Sequence, residues 1–305
     1  MWPILSALIP VVAFVVGTLS IWGVIQLIQW RRNDRDREAP LHRNLRRPPG
    51  YSLHLKLQDI DADLTLTTVF IILAPLLFFT IHISQSYFGG EPEAAWRIVL
   101  SAAMTLVFIA VFGRKLNKLL DKRRRLKLGL EGEMFTGEEL NQLMRLGCRV
   151  FHDLEYPYGN IDHVVVSHSG VFTVNSKAWS KPKDGNERCV ATVDHNKNQI
   201  RLPDRTIPIP VDQLEREANW LSKTLSSATG RTIKAEPMLA LPGWWVDRIG
   251  RSSVYVFNPD DPHKFFVHNR QVHTPGQIQQ IAHVLENLAR NIEPSFREKR
   301  ELAAE

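Results

Sequence analysis

Apolar residues are distributed differently in the two parts of this chain. In the first part they form three long stretches, at about 2–30, 64–88 and 94–113, that contain almost no charged residue. A helix needs about 20 apolar residues to cross the hydrocarbon core of a bilayer. The pattern therefore predicts three transmembrane helices within residues 1–113.

From residue 128 onward, helical and strand periods alternate. Apolar spacings of three and four residues predict helices near 130–147, from 212 and from 275. Short apolar runs between turn residues predict strands. The predicted strands are 149–156, 161–167, 171–176, 189–193, 199–202, 235–241, 254–257 and 265–267. This order predicts an α/β domain over 128–294, with a mixed sheet flanked by helices, and a polar tail at 295–305.

Two of the predicted helices begin with recognisable capping residues. Asp212 and Glu215 are spaced as in a capping box, and Thr274 is followed by Pro275 and by Gln277. In a capping box the first side chain accepts a hydrogen bond from the backbone N–H three residues later. We therefore predict helix N-termini at both places.

The net charge of +6 is concentrated in one short segment. Residues 114–127, a basic juxtamembrane linker, carry eight Lys and Arg and one Asp, whereas residues 128–305 carry 21 basic and 23 acidic residues. We expect the linker to lie on anionic lipid headgroups, which attract such segments by about 1 kcal/mol per base. Contact with nucleic acid is the alternative for this segment.

The distribution of arginine predicts the orientation in a membrane. Arginines follow the first apolar stretch, the loop at 89–93 has no basic residue, and the third stretch leads into the basic linker. Because basic residues are enriched in cytoplasmic loops, the N-terminus should be outside and the C-terminal domain in the cytoplasm. The expected location is the cell membrane, with three spans.

Two acidic residues are candidates for a metal site. Glu133 shares a helical stripe with Leu140 and Met144, and Asp162 begins an apolar strand. A buried carboxylate is costly unless it meets a cation or hydrogen-bond donors. The simpler alternatives are a partly exposed acid in a first helical turn and an acid in a turn before a strand. Two cysteines exclude a disulfide scaffold and a four-cysteine zinc site.

Three further polar residues lie at element ends. Asn175 and Lys177 are two apart at a strand end, so both side chains should point to one face. An acid or amide beside a lysine can hold a divalent ion and orient an attacking water on a phosphodiester. Gln213, in the first turn of a helix, could touch a phosphate. The alternatives are a lysine extended towards solvent and a solvated glutamine.

These segments together resemble a known family. The run is GLEGE, then IDHVVVSHSGVFTVNSKAW, then PVDQLEREANWL, then EPMLALPGWWV. It resembles the nuclease-related domain (NERD) family of the PD-(D/E)xK restriction-endonuclease-like superfamily, over about 128–246. The resemblance implies a restriction-endonuclease-like fold, with the hairpin around IDHVVV and the following lysine as its most specific part.

The resemblance also implies roles for individual residues. Glu133 and Asp162 would bind Mg²⁺ or Mn²⁺, Lys177 would be the catalytic lysine, and Gln213 would steady the substrate or the lysine. Asn175 would complete the metal site and departs from the pattern, because the superfamily usually has an acid there. An amide oxygen can bind Mg²⁺ but adds no charge, so activity could be lower or absent.

The expected function is that of a membrane-anchored, Mg²⁺-dependent deoxyribonuclease that hydrolyses DNA phosphodiester bonds, with RNA as a second substrate class. The alternative is a weak or inactive membrane-tethered module that binds nucleic acid or protein. Trp244 and Trp245 could stack on bases, or they could pack in the core. The sequence does not indicate an oligomeric state.

Overall fold

A computed structural model of the chain describes residues 2–33, 43–87, 95–182, 189–267 and 271–294. The predicted polar tail at 295–305 and the loop at 89–93 lie outside the described residues. The chain forms two compact units. One contains residues 1–38 and 58–124, and the other contains residues 39–57 and 125–305.

The first unit is formed by long helices. They are α1 (Trp2–Asn33), α2 (Tyr51–Tyr87) and α3 (Ala95–Asn141), of which α2 begins and α3 ends in the second unit. Among the described residues, two helices are long and apolar enough to cross a membrane, namely Tyr51–Ile83 and the helix that begins at Ala95. The described apolar stretch of α1, Val15–Ile28, is shorter. The predicted count of three spans is therefore not supported.

The apolar surfaces of these two helices are not covered by protein. Only 11% of the most apolar window of α2 and none of that of α3 is buried. A helix that is apolar all round and unburied suits a lipid environment, so the two helices suggest membrane association. In α2 the apolar part follows Asp63, and in α3 it precedes Arg114.

The second unit contains two mixed β-sheets. The strands are β1 (Arg149–Tyr156), β2 (Gly159–Ser167), β3 (Gly170–Ser176), β4 (Val190–Asp194), β5 (Gln199–Arg201), β6 (Thr206–Pro208), β7 (Ala235–Ala240), β8 (Trp245–Ile249) and β9 (Tyr255–Phe257). The five-stranded sheet has the order β1-β2-β3-β7-β9, and the four-stranded sheet has the order β6-β5-β4-β8. In the larger sheet β1, β2 and β3 are antiparallel, whereas β7 and β9 continue parallel to β3.

Helices cover the larger sheet. They are α4 (Val211–Thr229), the short α5 (His263–Phe266) and α6 (Pro275–Ala289). Leu221 and Leu225 of α4 and Ile281 and Leu285 of α6 pack in one cluster with β1 and β2 residues. A second cluster contains Phe172 of β3 with Phe257 and Phe266. The mixed α/β architecture flanked by helices agrees with the prediction, with two sheets in place of one.

Most element boundaries agree with the sequence patterns, and four features differ. The predicted capping box at Asp212 does not form, because α4 begins at Val211 after Pro210 and has no side-chain cap. The predicted strand at 265–267 is mostly helix α5, which begins after Pro262. Strands β6 and β8 were not predicted. The capping box of Thr274 and Gln277 is present as predicted.

Candidate functional site

Two polar residues face each other at the ends of β2 and β3. His163 pairs with Val174 in the antiparallel register, so Asp162 and Asn175 are the next residues on their strands. Asp162 is 6% exposed, and its Oδ2 accepts a hydrogen bond of 2.7 Å from the Ser176 N–H. Asn175 is 2% exposed, and its Oδ1 is buried without a hydrogen-bond partner. The two strands therefore present a carboxylate and an amide oxygen at one place.

Glu133 reaches the same place from helix α3. Its side chain is 7% exposed, and its Oε2 is buried without a hydrogen-bond partner. The helix lies close to the end of β3, because a Cβ added to Gly132 would come within 2.4 Å of the Ala178 Cβ. A glycine at this position lets the helix approach the strand end. The Glu133 carboxyl is then near enough to Asp162 for the Asp162 charge to raise its pKa.

Lys177 follows β3 and is half-buried. Its backbone N–H donates a hydrogen bond of 3.0 Å to the Ala240 carbonyl, which extends the parallel pairing of β3 with β7. The charge of its ammonium lowers the pKa of three carboxyl groups, those of Glu133, Asp162 and Glu217. The lysine thus acts electrostatically on all the carboxyl groups of the site.

Helix α4 contributes Gln213 and a second acid. Gln213 Nε2 donates a hydrogen bond of 2.9 Å to Glu217 Oε1. Glu217 is completely buried, also interacts with the Asn175 amide, and has no hydrogen-bond partner at Oε2. Glu217 is not among the candidate residues that the sequence indicates. Its signal was present, since an acid three residues after Leu214 and four before Leu221 occupies the buried stripe of the helix.

Burial raises the pKa of these carboxyl groups. The pKa of Glu133 rises to about 9, first because of burial and then because of the charges of Asp162 and Asp153. Burial raises the pKa of Glu217 to about 7. Burial also raises the pKa of Asp162 to about 6, while the Ser176 N–H opposes this shift. The site therefore has more acid groups than its cations can neutralise.

The donor atoms fit a hard divalent cation. Glu133 Oε2, Asn175 Oδ1 and Glu217 Oε2 are buried oxygens without hydrogen-bond partners. Such atoms are costly unless they meet a cation or donors, and Mg²⁺ prefers oxygen ligands. Among the described residues, however, no three His, Cys, Asp or Glu side chains are grouped closely enough to hold a metal ion. The Asn175 amide and water or substrate oxygens would have to complete the coordination.

A segment outside the predicted domain also reaches the site. Lys56, near the start of α2, lowers the pKa of both Glu133 and Asp162 through its charge. Asp153, which is completely buried, is bound by Arg47 at 3.0 Å. None of these residues is indicated by the sequence, because no periodicity or motif links residues 47–56 to the strands a hundred residues later.

Two histidines form a separate buried chain. His152 and His163 have their Nδ1 atoms 2.9 Å apart, and His163 Nε2 lies 3.2 Å from the Ser176 hydroxyl. Burial lowers the pKa of both imidazoles, to about 4 for His152 and well below the ordinary value for His163. Both rings are therefore neutral near pH 7. They form a hydrogen-bonded row from β1 through β2 to the Ser176 hydroxyl on β3.

The two tryptophans have different environments. Trp244 is completely buried in the core, whereas Trp245 is 59% exposed. Trp245 lines a cavity of about 900 Å³ together with Tyr255 and Arg248, and no residue of the acid cluster lines this cavity. A base-stacking role is therefore open only to Trp245.

Comparison with known proteins identifies one related domain. Residues 128–242 match the family model described as nuclease-related domain, NERD. No curated protein and no solved structure matches the chain. The match covers less than half of the chain, and it contains the β2–β3 hairpin, Lys177, Gln213 and Glu217. This part of the protein is thus similar to the nuclease-related domain.

Proposed function

We propose that this protein is a membrane-anchored, metal-dependent nuclease that hydrolyses phosphodiester bonds of DNA at the cytoplasmic face. The observation that carries the proposal is the convergence of Glu133, Asp162, Asn175 and Lys177, which come from a helix and two strands. The buried Glu133 Oε2 and Asn175 Oδ1 lack hydrogen-bond partners, as expected for a site that is completed by a cation. The match to the nuclease-related domain supports the same reaction class.

In this proposal Glu133, Asp162 and the Asn175 amide hold Mg²⁺ or Mn²⁺. The bound cation would polarise the phosphate and its attacking water. Lys177 orients that water and offsets the negative charge that develops on the phosphate oxygens. Attack of water on phosphorus breaks the P–O bond to the leaving strand, whose oxygen takes up a proton.

Glu217 and Gln213 act in this scheme as positioning residues. A deprotonated carboxylate accepts hydrogen bonds only, so Glu217 requires the Asn175 amide to present its NH₂ group. The Asn175 Oδ1 is then directed away from Glu217 and is available to the cation. Gln213 holds the other side of the Glu217 carboxylate. This arrangement supports a metal site in spite of the missing acid at position 175.

The anchoring part of the proposal extends beyond the two helices that length and composition identify. We propose that α1 is a third span, with the N-terminus outside and the second unit in the cytoplasm. The arginines after α1 and the basic run 114–127 support this orientation, since basic residues flank the cytoplasmic ends of spans. The run 114–127, which is helical as part of α3, would lie on anionic lipid headgroups.

One experiment tests the catalytic proposal. The full chain in detergent is incubated with labelled DNA and, separately, RNA in the presence of Mg²⁺ or Mn²⁺. We expect cleavage of DNA that is lost on chelation and falls at least about 100-fold in Asp162→Ala and Lys177→Ala. Glu138→Ala and Lys223→Ala change exposed residues and serve as matched controls.

A second function is favoured by specific observations. Asn175 brings no charge, residues 128–305 are slightly acidic overall, and the described carboxylates do not form a three-ligand group. These features suit a membrane-tethered module that binds nucleic acid or protein without cutting. Absence of cleavage of both nucleic acids with either metal, together with retained binding, would establish this alternative in place of the nuclease.

A further inference from the structure

Residues 43–57 belong to the second unit, although they precede the residues that match the nuclease-related domain by more than 70 positions. The Leu45 N–H donates a hydrogen bond of 2.8 Å to the Ile292 carbonyl, and the Arg47 N–H donates one of 3.2 Å to the Ala289 carbonyl. These backbone contacts attach the segment to the end of α6. The unit is therefore assembled from two separate parts of the chain.

Arg47 fixes this segment beside the acid cluster. Its guanidinium is 10% exposed and binds Asp153, Glu155 and the Asn291 side chain. The backbone N–H and hydroxyl of Ser52 also donate to Asp153, at 3.2 and 2.7 Å. A buried carboxylate with several charge-assisted hydrogen bonds holds its donors in a defined position. The turn between Arg47 and Ser52 is therefore anchored on β1.

That turn covers the Glu133 carboxyl. Gly50 has a positive φ of 73°, and a Cβ at this residue would lie 3.7 Å from Glu133 Oε2 and only 2.4 Å from the Leu130 side chain. Pro49 lies against α3 at Gly137, where an added Cβ would come within 2.7 Å of its ring. A side chain at Gly50 or at Gly137 would prevent this approach of the turn to α3. Pro49 and Gly50 therefore shield Glu133 from solvent on one side.

The segment continues into the first turns of α2, where Lys56 lies. Lys56 is exposed, and among the described residues it forms neither a hydrogen bond nor an ion pair. Its charge nevertheless acts on both metal-site carboxyls, Glu133 and Asp162. Lys56 also lies one helical turn after Ser52, on the face of α2 from which the Ser52 hydroxyl binds Asp153. Its ammonium group is thus on the side of the acid cluster and available to a ligand.

We propose that residues 43–57 form one wall of the candidate active site and that Lys56 binds a phosphate group of the nucleic-acid strand there. The proposal rests on the proposed function, because it assigns the substrate contact of the same site. An acid cluster repels a polyanion, and Lys177 alone offers few contacts to it. A second ammonium on the wall opposite the strands supplies a further charge-assisted hydrogen bond to phosphate.

Binding of a labelled DNA duplex tests the phosphate contact. Lys56→Gln is compared with Lys223→Gln, an exposed lysine of α4, in the full chain with Lys177→Ala present so that DNA is not cut. In Mg²⁺, fluorescence anisotropy should show about tenfold weaker binding for Lys56→Gln and a salt slope reduced by about 0.9. The control should match its parent. Equal affinity and slope for the two variants would overturn the proposal.

Binding of Mg²⁺ without DNA provides an independent readout. Removal of a positive charge near the carboxylates should tighten Mg²⁺ binding by Lys56→Gln about threefold in calorimetry, with no change for Lys223→Gln. Unchanged Mg²⁺ affinity would mean that Lys56 lies too far from the acid cluster. It would contradict the proposal that residues 43–57 form a wall of the site. Normal DNA cleavage by the full chain carrying Lys56→Gln would overturn the phosphate contact alone. A wild-type chain that neither binds nor cuts nucleic acid would overturn both proposals.

Discussion

The buried acidic side chains of the site have a higher pKa than carboxyl groups exposed to water. Glu133, with a pKa of about 9, keeps its proton in the folded protein over a range where the unfolded chain has released it. Between about pH 5 and pH 9 the native state thus binds more protons than the unfolded state, so its stability falls as the pH rises. A bound divalent cation would remove this conflict by neutralising the carboxylate.

A pH series on the metal-free protein tests this electrostatic conflict. In Glu133→Gln the buried group cannot ionise, so we expect the stability decrease between pH 6 and pH 9 to become smaller. At pH 8.5 the free energy of unfolding should exceed that of the wild type by about 1–3 kcal/mol. Thermal unfolding in a chelator measures this. Glu138→Gln, which changes an exposed acid of the same helix, should retain the wild-type decrease, and an equal decrease in Glu133→Gln would contradict the assignment.

The pair of Asn175 and Glu217 allows a second prediction at this scale. Asn175→Asp adds a charge to the proposed metal site but places it against the Glu217 carboxylate. We expect Mg²⁺ binding to tighten about tenfold in the Glu217→Gln background and clearly less in the wild-type background, because like charges in contact oppose each other.

Calorimetric Mg²⁺ titrations of the four variants in this cycle give the coupling between positions 175 and 217. Asn219→Asp, which changes an exposed amide of α4, is a control for general effects of an added acid. Additive effects of the two substitutions would mean that Glu217 does not act on Asn175.

At the scale of elements, the contact between helix α3 and the end of β3 positions residues of the candidate site. Gly132 and Ala178 approach so closely that a methyl group at Gly132 would come within 2.4 Å of the Ala178 Cβ. Helix propensity alone predicts that Gly→Ala stabilises a helix by about 1 kcal/mol. The close approach predicts the opposite result for this glycine.

We therefore expect Gly132→Ala to destabilise the protein by about 1–3 kcal/mol and to weaken Mg²⁺ binding, because α3 must move away from the strands. Chemical denaturation and calorimetry measure the two effects. Gly276→Ala in α6 is the matched control, since a Cβ there meets no atom within 4 Å. It should be neutral or stabilising. A stabilised Gly132→Ala variant would show that the helix and strand are not in contact.

Sequence patterns located these elements well where the period was strong. Strand β1 agrees with its prediction over all residues, and the cap of α6 follows from the spacing of Thr274 and Gln277. The short apolar run at 265–267 does not distinguish strand from helix, and Pro262 allows a helix to begin there. The Asp212 pattern did not act as a cap because the helix begins one residue earlier, at Val211.

At the scale of the whole molecule, the two apolar helices predict membrane insertion. Ile72 of α2 and Val107 of α3 are 60% and 63% exposed in the apolar parts of their helices. An arginine at the centre of a membrane helix costs about 2.5–3.5 kcal/mol. We expect the Ile72→Arg, Val107→Arg double variant to lose alkali-resistant membrane association when cell fractions are separated by centrifugation.

Met144→Arg is the matched control for that experiment. Met144 lies in the second unit and is 46% exposed, so an added charge there should leave membrane association unchanged. Full extraction of the wild-type chain by alkali would contradict the proposed spans. Such a result would leave the apolar surfaces of α2 and α3 to be covered by protein.

The sequence by itself determined the two long apolar helices, the α/β class and most strands, because these depend on periodicity and composition over neighbouring residues. It also indicated Glu133, Asp162, Asn175, Lys177 and Gln213 as candidates through a family resemblance. Only the tertiary structure decided that Glu217 interacts with Gln213 and Asn175 and that Gly50 and Arg47 reach the same cluster. Those contacts join residues from separate elements, and local patterns do not record which distant side chains meet.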